Sequence, residues 1–162
     1  MKILISGVGG PTPRSISRSI KISKYAENSK LYGTEVNPLV YGFYESNLYE
    51  KNILVPSSRD ESYWETLEAF VKENEIECAM IHPEQAVLAW SLRKKQGGVW
   101  PCKTILPDYD LVKVLIDKGT MTDILKDTGL VPKSYVLDPK NLDFVKLEQT
   151  LSYPFWIRST SG

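Results

Sequence analysis

Histidine and cysteine are almost missing from this chain, and their scarcity closes off several chemistries. One histidine, His82, and two cysteines, Cys78 and Cys102, occur in 162 residues. Multi-histidine metal centres are excluded, and two thiols far apart in strand-like stretches form no metal-ligand cluster; they read as reduced, packed side chains. A Ser-His-Asp arrangement has no supporting motif around His82. Net charge is missing too. Twenty Lys plus Arg balance twenty Asp plus Glu, without blocks of one sign, so there is no electrostatic footprint for a nucleic-acid partner. No apolar run approaches the ~20 residues of a membrane span, and the N-terminus enters Lys2-Ile3-Leu4-Ile5 without a signal-peptide core. The expectation is a globular, cytoplasmic protein with no nucleic-acid or membrane partner; homo-oligomerisation is left open. Internal repeats and low-complexity tracts are also lacking.

What is present is strand–helix alternation. With 42% hydrophobic residues, the chain can fill one core and a small second unit, since domains commonly run ~100–150 residues. Ile3-Leu4-Ile5 reads as a strand, followed by Gly7-Val8-Gly9-Gly10-Pro11 and a helix with Ile16 and Ile20 on one face and Arg14 and Arg18 on another. Further strands are expected at Leu31 to Val36, Asn52 to Val55 and Glu77 to Ile81, with a fifth near Ile105. The clearest helix lies between the third and fourth strands: Asp60 or Ser62 caps it, and Trp64, Leu67, Phe70 and Val71 recur at helical spacing. This pattern predicts a Rossmann-like, doubly wound parallel sheet ordered 3-2-1-4-5 over residues 1–107, whose ligands bind beyond the carboxyl ends of the strands.

After Pro107 the alternation stops. Asp108 to Asp117 and Thr120 to Thr128 read as successive helices, broken at Gly119 and closed by Gly129 with Pro132 beyond. Residues 108–132 are thus a helical connector. A second unit over 133–162 follows, with a strand at Ser134 to Leu137, a helix at Asn141 to Leu151 and a strand at Phe155 to Arg158. The final strand delivers Arg158 to the small-residue run Ser159-Thr160-Ser161-Gly162, which is how a backbone is brought against a phosphate. A domain rarely ends as such a loop opens, so the expectation is the leading part of a longer protein.

Several motifs carry two readings. Gly7-x-Gly9-Gly10 lacks the third glycine of a dinucleotide fingerprint, Thr12 standing there, while Pro11 and Pro13 crowd the helix start. Glu35 ends the second strand where an acid bonds a ribose hydroxyl, which keeps an NAD(P)-binding oxidoreductase domain as an alternative. A tight turn that binds nothing is the other. Arg14 and Arg18 read as a solvated helix face. Glu84 either faces a substrate or is a helix-start carboxylate favoured by the dipole. His82 reads as a partly buried, hydrogen-bonded side chain rather than an acid or base.

Taken together, Asp117-Lys118, Leu125, Gly129-Leu130-Val131-Pro132 and Tyr153-Pro154 leading to Arg158 and Gly162 resemble the opening of an ATP-grasp enzyme. Proteins like the large subunit of carbamoyl-phosphate synthase are the most similar, and their leading Rossmann-like (pre-ATP-grasp) domain resembles residues 1–107, including Val40-Tyr41-Gly42 and Val55-Pro56. The resemblance spans the whole chain and rests on the order of motifs rather than on any one.

That resemblance implies an incomplete ATP-grasp domain after the connector and an ATP-dependent ligase. It forms an acyl phosphate from a carboxylate or bicarbonate and joins it to an amine-type nucleophile. Lys118 matches the lysine that reaches the phosphates, Arg158 the basic residue ending the strand, and Ser159, Thr160, Ser161 and Gly162 the start of the flexible loop. Independently of the resemblance, position at the carboxyl ends of the strands makes Gly9, Gly10 and Glu84 the expected substrate contacts of the leading domain. The Mg²⁺ ligands and the adenine-holding segment are expected beyond Gly162, so these 162 residues alone are expected to be inactive. A noncatalytic Rossmann-type binding module remains the third alternative.

Overall fold

A computed structural model of the chain describes residues 1–160. These residues fall into two compact units, Met1–Tyr109 and a second from Asp110 onward.

The first unit is built on four short strands: β1 (Lys2–Ser6), β2 (Lys30–Glu35), β3 (Lys51–Leu54) and β4 (Cys78–Met80). All pair in parallel, in the order β3-β2-β1-β4. Parallel neighbours require crossovers, which α1 (Pro11–Ile22) and α2 (Ser62–Asn74) supply. The helix α3 (Glu84–Lys95) follows β4.

Side-chain alternation along each strand separates two cores. Ile3, Ile5 and Leu31 join Val8, Leu48 and Tyr49 on one face, with Ile20 of α1 packed against them. Leu4, Tyr32 and Ala79 face the other way, beneath Leu67, Phe70, Val71, Ala86 and the fully buried Trp90 of α2 and α3. Helices therefore cover both faces, which makes the sheet doubly wound and Rossmann-like. The strand order reverses between β1 and β4, where such sheets open a ligand crevice beyond the carboxyl ends.

The expected order 3-2-1-4 is thus observed, and the fifth strand is reduced to one parallel bridge, Cys78 with Lys103. Two backbone bonds hold it: Ala79 N–H to the Lys103 carbonyl at 2.8 Å and Lys103 N–H to the Glu77 carbonyl at 3.3 Å. Ile105, where that strand was expected, is almost wholly exposed.

Beyond Asp110 the elements are helical: α4 (Tyr109–Ile116), α5 (Lys118–Leu125), a 3₁₀ turn (Lys126–Thr128) and α6 (Phe144–Thr150). Gly119 does not break the helices. Asp117 does, capping α5 by accepting from the Thr120 N–H at 2.6 Å, while Gly119 lies within α5. Gly129 ends the run at φ 72°, a left-handed stop that glycine adopts without strain. Neither expected strand of this unit forms: 134–137 and 155–158 carry no ladder. A strand is stable only when its N–H and C=O groups have neighbours, and the described residues offer these segments none.

Candidate functional site

The first glycine turn is where a Rossmann sheet most often meets a phosphate, and here its donors are already spent. Gly7 takes the left-handed conformation at φ 67°, and a β-carbon there would collide with the Pro83 ring at 2.4 Å. Its N–H and that of Val8 donate to the Thr34 carbonyl. The Gly10 N–H turns back to the Gly7 carbonyl at 3.0 Å. Pro11 and Pro13 have no N–H at all, leaving the start of α1 poor in the donors an anion needs.

The remaining donor, Gly9 N–H, binds Glu35 Oε2 at 2.7 Å. Glu35 Oε1 accepts from Val36 N–H at 2.8 Å and Asn37 N–H at 3.3 Å. This carboxylate is buried and occupies the turn as a resident anion. A dinucleotide ribose would have to displace it from three amides, so Glu35 is a lock on the glycine turn rather than a free ribose acceptor. Gly9 is correspondingly tight: a β-carbon would sit 2.8 Å from Glu35 Oε2 and 2.6 Å from Val40. Of the expected substrate contacts, Gly9 and Gly10 therefore serve the turn itself.

Arg14 and Arg18 also differ from their expected role. Both grip the buried Glu45, Arg14 Nε to Oε2 at 2.8 Å and Arg18 Nη2 to Oε1. Arg14 additionally lies over the Tyr41 ring, 5.0 Å from its centroid. One turn of helix separates the two arginines, so a single carboxylate meets both forks. Glu45 thereby offsets one of their two positive charges.

At the crevice between β1 and β4, Ser6 Oγ accepts from the His82 N–H at 3.0 Å. The His82 ring contrasts with its backbone: Nε2 is sealed from solvent and has no hydrogen-bond partner. Burial holds its pKa below the ordinary 6.5, so the ring is neutral at pH 7. Glu84 is exposed in the first turn of α3, where a carboxylate favours the helix dipole. Gln85 reaches the loop after β3, accepting from Arg59 Nη2 at 2.9 Å.

In the second unit the backbone joins two of the candidate segments. Lys118 N–H donates to the Thr160 carbonyl at 2.7 Å, and a β-carbon on Gly119 would lie 3.2 Å from Thr160 Cγ2. Thr160 thus meets the start of α5, beside the Asp117 cap. That cap's hydrogen bonds from Thr120 hold the Asp117 carboxyl below its ordinary pKa. Arg158 and Ser159 are exposed just before Thr160, while Ser161 and Gly162 lie outside the described residues.

A cavity of about 370 Å³ lies elsewhere, lined by Met1, Lys2, Asn28, Lys30, Glu75 and Glu77 at the amino ends of the strands. Its charges pair with one another, Lys2 with Glu75 and the N-terminus with Glu77. It is a surface hollow on the wrong side of the sheet for the crevice chemistry.

Sequence reasoning missed Glu45 and Arg59. Neither sits in a motif, and their roles depend on partners about 26 to 31 positions away. Among the described residues no group of three His, Cys, Asp or Glu converges as a metal site, and no helix is long and apolar enough to cross a membrane. The chain matches no protein-family model, and no curated protein matches it.

Proposed function

We propose that this chain supplies the leading Rossmann-like domain and the opening of the nucleotide-binding unit of an ATP-grasp-type ligase. The observation that carries the reading is the 2.7 Å bond from Lys118 N–H to the Thr160 carbonyl. It draws together a lysine at a helix start and a small-residue run preceded by an arginine. Such a junction offers a phosphate chain a flexible ammonium, a planar guanidinium fork and backbone amides.

In the reaction, a carboxylate or bicarbonate oxygen bonds to the γ-phosphorus of ATP as the bond to the bridging oxygen of ADP breaks. An amine-type nucleophile then attacks the acyl carbon, releasing inorganic phosphate and giving up its proton. The contribution of Lys118 and Arg158 is to hold the phosphates in line and offset their charge, the dominant demand of phosphoryl transfer. Magnesium would add charge neutralisation between phosphates. The described residues present no converging donor set for it.

The nicotinamide alternative is weakened by a specific contact, since Glu35 already holds the turn amides. A thermal-shift comparison on the protein carrying the complete nucleotide-binding unit tests the reading. Mg²⁺-ATP at about a hundred times its Kd stabilises by ~2.7 kcal/mol and raises the midpoint, whereas NADPH leaves it unchanged. A rise with NADPH alone contradicts the proposal, and no rise with either assigns the fold to noncatalytic binding.

A further inference from the structure

His82 stands in the turn between β4 and α3, at the crevice where the strand order reverses. Its main chain is clasped to β1. The His82 N–H donates to Ser6 Oγ at 3.0 Å, and that hydroxyl, buried at the end of β1, lies 3.4 Å from the Met80 carbonyl to which it donates. The next residue, Pro83, fills the space that a β-carbon on Gly7 would need, with its ring 2.4 Å away. The Pro83 carbonyl accepts from the Val87 N–H at 2.9 Å, which starts α3. The turn therefore ties β1, β4 and α3 together at one point.

The ring is fitted to one protonation state. Nε2 is sealed from solvent and has no hydrogen-bond partner among the described residues. In neutral imidazole the proton can sit on Nδ1, so that the sealed nitrogen holds only a lone pair, whereas imidazolium carries an N–H on both nitrogens. A buried donor without an acceptor costs about 1–3 kcal/mol, and more when it is charged. The charged groups at this end of the sheet are Arg14 on α1, Glu35 at the end of β2, Glu45 beside Arg14, Arg59, Asp60 and Glu61 on the loop after β3, and Glu84 on α3. None of them acts on the ring: burial is the one cause of its lowered pKa.

We propose that His82 is a proton-operated latch on this crevice: the neutral ring holds the β4–α3 turn closed on β1, and protonation drives the ring out and frees the turn where a doubly wound sheet receives its ligand. The latch is closed at neutral pH and opens in acid, whatever the crevice binds. An opening that puts the ring in water lets it protonate near the ordinary 6.5, while the closed form refuses the proton. The open fraction therefore rises about tenfold for each pH unit below 6.5, until the closed ring also protonates.

Native-state hydrogen exchange of the full 162-residue chain, followed by nuclear magnetic resonance between about pH 5 and 7.5 at constant ionic strength, reads that fraction once intrinsic rates are divided out. The His82 and Val87 N–H report on the turn, and ladder amides of β1 and β2 report on unfolding of the whole unit. The turn amides are expected to exchange more readily than the ladder amides, with protection falling about tenfold per pH unit below 6.5. His82→Gln, which cannot titrate there, should abolish that slope. Ser6→Ala, which removes the clasp, should lower the protection of the turn and leave the slope in place. Turn protection that is flat with pH, a slope that survives in His82→Gln, or turn and ladder amides exchanging at one common level each overturn the proposal, the last because the ring then reaches water only by unfolding. Should His82→Gln fail to fold, the wild-type ring signal decides: a midpoint below 6.5 supports the latch and one at or above it contradicts it.

Discussion

The two units treat their apolar residues in opposite ways. Up to Tyr109, a parallel sheet lets alternate side chains fill two cores, and Trp90, Leu4, Ile5 and Leu31 are sealed from solvent. Among the described residues from Asp110 onward only Val112 and Leu147 are buried, while Trp156 is 99% exposed and Ile157 81% exposed. Both stretches contain hydrophobic segments of similar character. The difference is that one has a hydrogen-bonded sheet on which helices pack and the other, among the described residues, has none. Amphipathic sequence becomes core only when a second layer covers it.

The largest effect is expected from truncating one tryptophan in each unit. Trp90→Ala removes a fully buried ring that bonds Tyr63 Oη through its indole N–H at 3.0 Å, and is expected to cost ~3–5 kcal/mol. Trp156→Ala is expected to stay within ~0.5 kcal/mol. Urea unfolding monitored by circular dichroism reads both, and similar costs would erase the contrast.

A smaller effect is expected at Glu45. Its replacement by Gln leaves Arg14 and Arg18 without their shared anion, at a cost of about 2 kcal/mol, typical of charged hydrogen bonds in partly buried sites. Arg18→Ala alone should cost well under half of that, because this arginine is half exposed and screened by solvent. Equal costs would mean that the pair does not act through one carboxylate.

Much of the first unit was legible because a parallel sheet writes itself locally. Short β-branched runs, a glycine turn after β1 and helical spacing in α2 fix element order, and the doubly wound pattern that this alternation implies carries the order 3-2-1-4. The roles of Glu35, Glu45 and Arg59 were not legible, since they depend on which distant carboxylate reaches which donor. Arg14 and Arg18 at helical spacing look identical whether they face water or Glu45. In the second unit, Tyr135-Val136-Leu137 and Phe155-Trp156-Ile157 have strand composition, yet composition cannot supply a pairing neighbour. Asp117 outranked Gly119 as the helix boundary because a capping carboxylate satisfies an N–H that glycine cannot.

pH probes the crevice more gently. His82 is the chain's one histidine, and its folded pKa is depressed by burial. Below about 6.5, the unfolded chain binds a proton that the folded chain refuses, so stability falls as pH drops from 6.5 to the depressed value and is level below it. His82→Gln should flatten that slope; an unchanged slope would place the ring in water.

The smallest effect concerns the thiols. Burial pushes Cys102 up to about 12 and raises Cys78 as well. The two pack against different cores, Cys102 under α2 and α3 and Cys78 with β1 on the other face. Neither is therefore expected to react readily with a thiol reagent at pH 8, nor should mild oxidation join them. Mass spectrometry of the labelled native and urea-unfolded protein checks both statements, and rapid native labelling of Cys102 would contradict the packing.

The proposed function puts the phosphates of ATP at the Lys118–Thr160 junction, two residues after Arg158. Calorimetric titration of Mg²⁺-ATP into the protein with the complete nucleotide-binding unit tests it most directly, comparing wild type with Arg158→Ala, Arg158→Lys and Lys118→Ala. Each alanine variant is expected to lose charge-assisted contacts of ~1.5–3 kcal/mol, weakening affinity roughly ten- to a hundredfold, with unfolding midpoints unchanged. The lysine variant should recover part of the loss. Equal affinity for wild type and both alanine variants would contradict the account.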